Sequence, residues 1–336
     1  VAPLPEADGA CYAGPPAAPG RRTAEVPQRR HASAWRSASF SSLTRRLEPP
    51  VRLTVAPTAA DERYSDSQTD NPPETRDAAV GLRTDGIATN PYAAFPRGAR
   101  YGDLLHVLLE WQVQQRWPIL DPTATATVPV WDALLRRRCD ALGITPEHRA
   151  LLTEWIIAIG RCPLGIGVTL HSLDPARTWA EMGFLLTTHG ATARAIDALI
   201  SRHVLPGQSR NALQPQALEG LLTGFLDLVF EHDGRYYVLD YKSNYLPAGY
   251  AQEHLAEAIL GHRYDLQYTL YLLALHRLLK ARLATYDYDR HMGGALYLFV
   301  RGIDEPGHGM HHDLPPRALI ERLDDLLAGR AAPVPA

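Results

Sequence analysis

Leu221–Lys242 reads LLTGFLDLVFEHDGRYYVLDYK: two β-rich runs on either side of Glu231-His232-Asp233-Gly234. Asp-Gly between such runs is a strong two-residue hairpin signal, because the favoured turn needs residues that tolerate positive φ. With Asp233 and Gly234 as the turn, counting back along both arms sets Asp227 opposite Asp240, with Cβ atoms about 4.5–5.5 Å apart. Lys242 lies two residues beyond Asp240 and so shares its face. Two carboxylates opposed in apolar strands repel, and a cation between them removes the conflict. A hard divalent ion with oxygen ligands, Mg²⁺ above all, suits such a pair. Lys242 beside it would orient or help deprotonate a water attacking a phosphodiester. The same spacing also occurs in exposed hairpins whose acids are merely solvated.

Outward from the hairpin, Gln252–Leu283 is predicted as one long helix, Gly294–Val300 (GALYLFV) as a buried strand and Pro316–Gly329 as a last helix. Upstream, Tyr101–Trp117 places Leu104, Leu105, Leu108, Leu109 and Val113 on one helical face. Helical patterns follow at 130–142, 147–160 and 192–203, with a break at Pro163–Gly167, and Trp179–Leu186 is a short strand. Trp35–Arg46 caps and begins a short helix. Helices flanking a small mixed sheet make an α/β fold. The compact domain is expected over 95–330. Residues 1–94, rich in Pro, Ala, Gly and polar residues, are expected to be a linker or the tail of a preceding domain, partly disordered.

The 336 residues carry 34 Lys+Arg against 37 Asp+Glu, a net charge of −3 that excludes nucleic-acid binding by bulk charge but leaves room for a local basic channel. Hydrophobic content of 46% with 21% charged residues is that of an ordinary globular protein. No apolar run reaches the eighteen or so residues of a membrane span, the longest being interrupted by Glu154 and His276. Three cysteines, Cys11, Cys139 and Cys162, are too few for a disulfide framework, a four-cysteine zinc site or an iron–sulfur cluster. A reducing, cytoplasmic location is expected. No G-x-x-x-x-G-K-[ST] phosphate loop is present, so no ATP chemistry by that route is expected. The first residue is Val1, and the opening residues lack a signal-peptide pattern. The expectation is a piece of a longer protein.

Three blocks, TGFLDLVF…YYVLDYKSNYL, HRYDLQYTLYLLALHRLL and YDYDRHMGGALYLFVRGID, with PRGARYGDLLHVLLEW and more faintly SFSSLTR upstream, resemble the nuclease domain of the RecB subunits of exodeoxyribonuclease V. Such domains belong to the PD-(D/E)XK superfamily, with a restriction-endonuclease-like core. The resemblance implies a Mg²⁺-dependent deoxyribonuclease, with Mn²⁺ as a substitute, acting in double-strand break repair and recombination. Its implied partners are linear DNA ends, RecC-like and RecD-like subunits, and RecA. Asp227 and Asp240 would be metal ligands, Asp240 and Lys242 central to catalysis, the Tyr241 carbonyl a further ligand, and His106 of a G-x-x-x-H helix an imidazole ligand. Gln267 and Tyr271 match Q-x-x-x-Y, one helical turn apart, where they touch DNA phosphate or support the site; Glu181 in WAEMGF matches an auxiliary acidic position.

Other readings of the same residues stay open. His106 on an apolar helix is also a common packed histidine, and Tyr271 among leucines a core residue. Glu110 is either support for His106 or a solvated charge, and Arg136-Arg137-Arg138 either a DNA path or a solvated helix face. His308, His311 and His312 read as a polar loop, Ser243 and Asn244 as a turn with a phosphate contact in view, and Cys139 and Cys162 as buried thiols. The rival assignments are an AddA-like or stand-alone nuclease of the superfamily and a non-catalytic docking module of the same fold. Intact Asp227, Asp240 and Lys242 argue against the last.

Overall fold

In the computed structural model, which describes residues 36–44, 90–305 and 307–330, the hairpin closes at Asp233 and Gly234, both at positive φ (50° and 75°). Its ladder runs from His232↔Arg235 to Leu228↔Leu239, in the register counted from the sequence. The strands are β1 (Arg36–Ser39), β2 (Thr178–Thr192), β3 (Ala217–His232), β4 (Arg235–Lys242), β5 (Met292–Phe299) and β6 (Met310–Asp313). The helices are α1 (Phe40–Thr44), α2 (Ala99–Gln114), α3 (Val128–Ala141), α4 (Pro146–Arg161), α5 (Ala193–His203), α6 (Gln252–Gly261), α7 (Tyr264–Arg282), α8 (Tyr288–His291) and α9 (Arg317–Leu327).

One mixed sheet of six strands results. β2 lies antiparallel along almost the whole of β3, so β1 and β4 must share the other edge. β1 pairs in parallel with Gly220–Thr223 and β4 takes Leu228–His232, so residues 224–227 lie between the two ladders on that edge. β5 adds in parallel to β4, with Asp240 beside Tyr297 and Lys242 beside Phe299, and β6 closes the edge. All eight residues of β5 are buried, as expected of a strand covered on both faces. On one face Leu222, Leu226, Val238 and Tyr297 pack with α5, α6, α7 and α9. On the other, Leu228, Phe230, Leu239 and Tyr241 pack with α2, α3 and α4. No described helix is long and apolar enough to cross a membrane.

Three elements differ from the sequence reading. The helix expected over Gln252–Leu283 is two, broken at Arg263, which sits at φ 59°. Its fully buried guanidinium donates to Asp265 (3.0 Å), Asp197 and the Asn211 carbonyl (2.9 Å), a tertiary network that outweighs continuous helical periodicity. Arg36–Ser39, expected to begin a helix, is a strand of the sheet, and only Phe40–Thr44 is helical; pairing with β3 decides it. Residues upstream of the expected boundary at 95 therefore contribute to the sheet. β2 also runs beyond Leu186 through polar Thr187–His189, because β3 supplies a partner along its length, with a bulge between Thr188 and Ala191. The readings of residues 1–35 and 45–89, Cys11 included, fall outside the described residues.

Candidate functional site

Alternation along β4 sends Asp240 and Lys242 to the α7 face and Leu239 and Tyr241 to the α2 face. The hairpin ladder stops one residue short of Asp227 and Asp240. In its place Asp227 Oδ2 accepts the Tyr241 main-chain N–H at 3.1 Å. On the other edge of β3, Glu181 of β2 sits between the pairs Ala180↔Leu228 and Met182↔Leu226, at φ 49°. A non-glycine residue in that region within a strand is strained, and such strain gathers at functional sites. Leu226 and Leu228 pack on opposite faces although a regular strand would put them on one. The sheet thus changes face at Asp227 and Glu181, which re-aims both carboxylates.

On the α2 side, a pocket is lined by His106, Glu110, Val113, Ala180, Glu181, Asp227 and Tyr241. α2 presents His106 toward the sheet through the same leucine stripe that the sequence displays, with Leu104, Leu105, Leu108 and Leu109 buried. Arg116 and Trp117, both at positive φ, end the helix earlier than the apolar pattern does. His106 Nδ1 lies 3.0 Å from Asp227 Oδ2. That nitrogen is buried and the contact lacks hydrogen-bond geometry. The Tyr241 ring stands edge-on to the imidazole, centroids 5.9 Å apart. Burial, then the charges of Asp227, Asp240 and Glu181, push the Tyr241 phenol well above its ordinary range, so it stays protonated.

On the α7 side, Lys242 Nζ lies 2.8 Å from Asp240 Oδ2, both residues only 2% exposed. Lys242 Nζ also donates to Gln267 Oε1 at 3.0 Å, which accepts a second bond from the Tyr297 hydroxyl at 2.8 Å. Gln267 Nε2 in turn donates to the Tyr271 hydroxyl at 3.0 Å. The ammonium stands 4.1 Å above the Tyr264 ring, a cation–π contact made strong by burial. α7 delivers Gln267 and Tyr271 one turn apart, as the spacing predicts, but into this buried network. Of the two roles left open for them, support of the site fits this placement.

The structure therefore gathers His106, Asp227, Glu181 and Tyr241 on one side of β4, and Asp240, Lys242, Gln267 and Tyr271 on the other. Among the described residues no three His, Cys, Asp or Glu side chains stand close enough together to hold a metal ion by themselves. The donor set still fits a hard divalent ion: a carboxylate oxygen and a buried imidazole nitrogen converge without a hydrogen bond between them. Tyr264, Tyr297 and Arg301 belong to the site's surroundings and were missed from sequence; the parallel register that sets Tyr297 beside Asp240 crosses three helices and leaves no local signal. Of the GHGMHH histidines, His308 lies in a polar loop as expected, 2.9 Å from Glu305. His311 and His312 instead belong to β6, where pairing with Tyr297 and Leu296 of β5 makes a strand of polar residues; His312 also contacts the Gly293 carbonyl at 2.8 Å. Cys139 is a buried thiol; Cys162 is half-buried, its thiol pushed up to about 11 by burial.

Residues 79–334 match the model of the PD-(D/E)XK nuclease superfamily. The chain is 40% identical over 242 residues to the RecBCD enzyme subunit RecB of Escherichia coli, covering 70% of this chain and 20% of the relative. For RecB of Haemophilus influenzae the identity is 41% over 181 residues, 52% of this chain and 15% of the relative. For RecB of Mycobacterium tuberculosis it is 32% over 336 residues, 89% and 29%. The chain thus spans less than a third of the length of these relatives. By the match of the family model and the blocks shared with RecB, the chain belongs to the PD-(D/E)XK nuclease superfamily and holds a RecB-like nuclease domain.

Proposed function

We propose that this chain hydrolyses DNA phosphodiester bonds as the nuclease part of a cytoplasmic RecBCD-type helicase–nuclease, using Mg²⁺, with Mn²⁺ as a substitute. One observation carries the reading: a buried Asp240–Lys242 pair and a half-buried His106–Asp227 contact meet at one strand end, with the Tyr241 main chain between them. His106, Asp227, Asp240 and the Tyr241 carbonyl would hold the ion. Bound there, the ion supplies Lewis-acid polarisation of a phosphate and lowers the pKa of a water. Lys242, fixed by Gln267 and the tyrosine rings, holds a donor at one point, where it orients the attacking water and offsets phosphate charge. Gln267 and Tyr297 set the direction of that ammonium, and Tyr271 fixes the amide of Gln267. Glu181 adds a carboxylate beside Asp227.

Two exposed arginines suit a grip on the strand to be cut. Arg97 stacks 3.4 Å over Tyr245, three residues past Lys242, and Arg100 flanks Tyr101 at 4.8 Å. Such basic–aromatic pairs serve both phosphates and bases. RecC-like and RecD-like partners, and contact with RecA, come with the likeness to RecB. The test is cleavage of end-labelled linear DNA, single- and double-stranded, with Mg²⁺ or EDTA. We expect metal-dependent cutting that Asp240→Ala abolishes; cutting that persists in the variant would place the chemistry elsewhere.

A further inference from the structure

Arg301 is 2% exposed, and among the described residues its guanidinium donates to main-chain carbonyls. Nε donates to Ser243 (2.9 Å), Nη1 to Tyr92 (2.6 Å) and Phe95 (3.1 Å), and Nη2 to Pro96 (2.9 Å). Burial draws its pKa down to about 10, so it remains a cation. A buried charge without a carboxylate is expensive in an apolar surround, yet this one joins two strategic segments. Ser243 follows the catalytic lysine, and residues 92–96 lead directly into α2. Trp155 reinforces the joint: its Nε1 donates to the Val300 carbonyl (2.7 Å), and Tyr92 stacks on its ring.

Ser243 is gripped from a second side. A Cβ at Gly102 would stand 3.0 Å from Ser243 Oγ, so the missing side chain lets α2 approach the end of β4. Gly102 and His106 lie one turn apart on the same helical face. We infer that Arg301 and Gly102 are positioning residues: they lock Ser243 against the helix that carries His106 and thereby set the imidazole's reach toward the acids of β3 and β4. The inference rests on the reading of His106, Asp227 and Asp240 as ligands.

Mn²⁺ titration calorimetry and melting, with and without Mn²⁺, test it on the whole chain. Gly102→Ala should melt like the parent without metal yet bind Mn²⁺ about tenfold more weakly, with kcat lowered and KM for DNA unchanged. Adding Ser243→Ala, which removes the opposing oxygen, should restore binding. Arg301→Lys, which keeps the charge but cannot span four carbonyls, should weaken Mn²⁺ binding similarly; if it fails to fold, the Gly102 pair decides. Parental affinity in Gly102→Ala, or no rescue by Ser243→Ala, overturns the inference. A parent that binds no Mn²⁺ overturns the ligand reading and the inference with it. Parental binding that Asp227→Ala abolishes while both positioning variants leave it intact overturns the inference alone.

Discussion

At Lys242 a full charge is held with 2% exposure by one carboxylate, one amide oxygen and an aromatic face. Lys242→Met removes Asp240's close cationic neighbour, so Mn²⁺ binding should be at least as tight as in the parent. Cleavage should nonetheless fall by about a hundredfold or more. Asp227→Ala should instead weaken Mn²⁺ binding. Equal Mn²⁺ affinities for the two variants by calorimetry would sink the ligand assignment. The register that sets Asp227 level with Asp240 was legible in the sequence because a two-residue turn fixes it over a short range. The expected facing of the two carboxylates was not met: β3 changes face at Asp227 and turns it to the α2 side, away from Asp240 and Lys242. His106, Gln267 and Tyr271 needed the resemblance, since nothing local ties an imidazole on a leucine-rich helix to a strand far along the chain. Glu181's strained backbone could not be read at all: the one glycine of WAEMGF is Gly183, two residues further on, and nothing at position 181 itself announces a positive φ.

Among elements, the break between α6 and α7 was hidden by unbroken helical periodicity. What imposes it is Arg263, whose guanidinium joins α5 and the loop before β3 to the first turn of α7. Asp265, fully buried, also takes Arg210 at 2.6 Å. Arg263→Met removes one partner from this buried network and should cost about 3 kcal/mol, read by urea unfolding. A loss below about 1 kcal/mol, the scale of exposed pairs, would mean that the turn at Gly261-His262 sets the break unaided. Because Gln267 sits in the second turn of α7, the same variant should also slow cleavage. Strand lengths were misjudged for a related reason: β1 and the end of β2 are polar, and pairing with β3 alone makes them strands.

For the molecule as a whole, the α/β class, the hairpin, β5 and α9 followed from pattern, while the α6–α7 break, α8, β6 and the two helical layers had to be seen. They bury histidines. His276, on α7 against the Tyr286 hydroxyl (2.9 Å), and His311 are both held below their ordinary pKa, chiefly by burial. A histidine depressed in the folded state favours the neutral form there, so its contribution is complete above about pH 6.5 and is lost as pH falls below it. Melting temperature should hold steady from about pH 8 to 7 and drop below about 6.5. His276→Gln should flatten part of that drop; a melt insensitive to pH across this range would refute the assignment.

Within a sheet, neighbouring strands stand about 4.8 Å apart, a mesh too fine to admit anything. β3 lends one edge to two strands that do not meet, and residues 224–227 lie in the space between them. At Asp227 the β3–β4 ladder gives way to a side-chain contact, the carboxylate accepting the Tyr241 N–H. A side chain can be exchanged where a main-chain ladder cannot, so the seam between β3 and β4 is tuned by the residue that stands at 227.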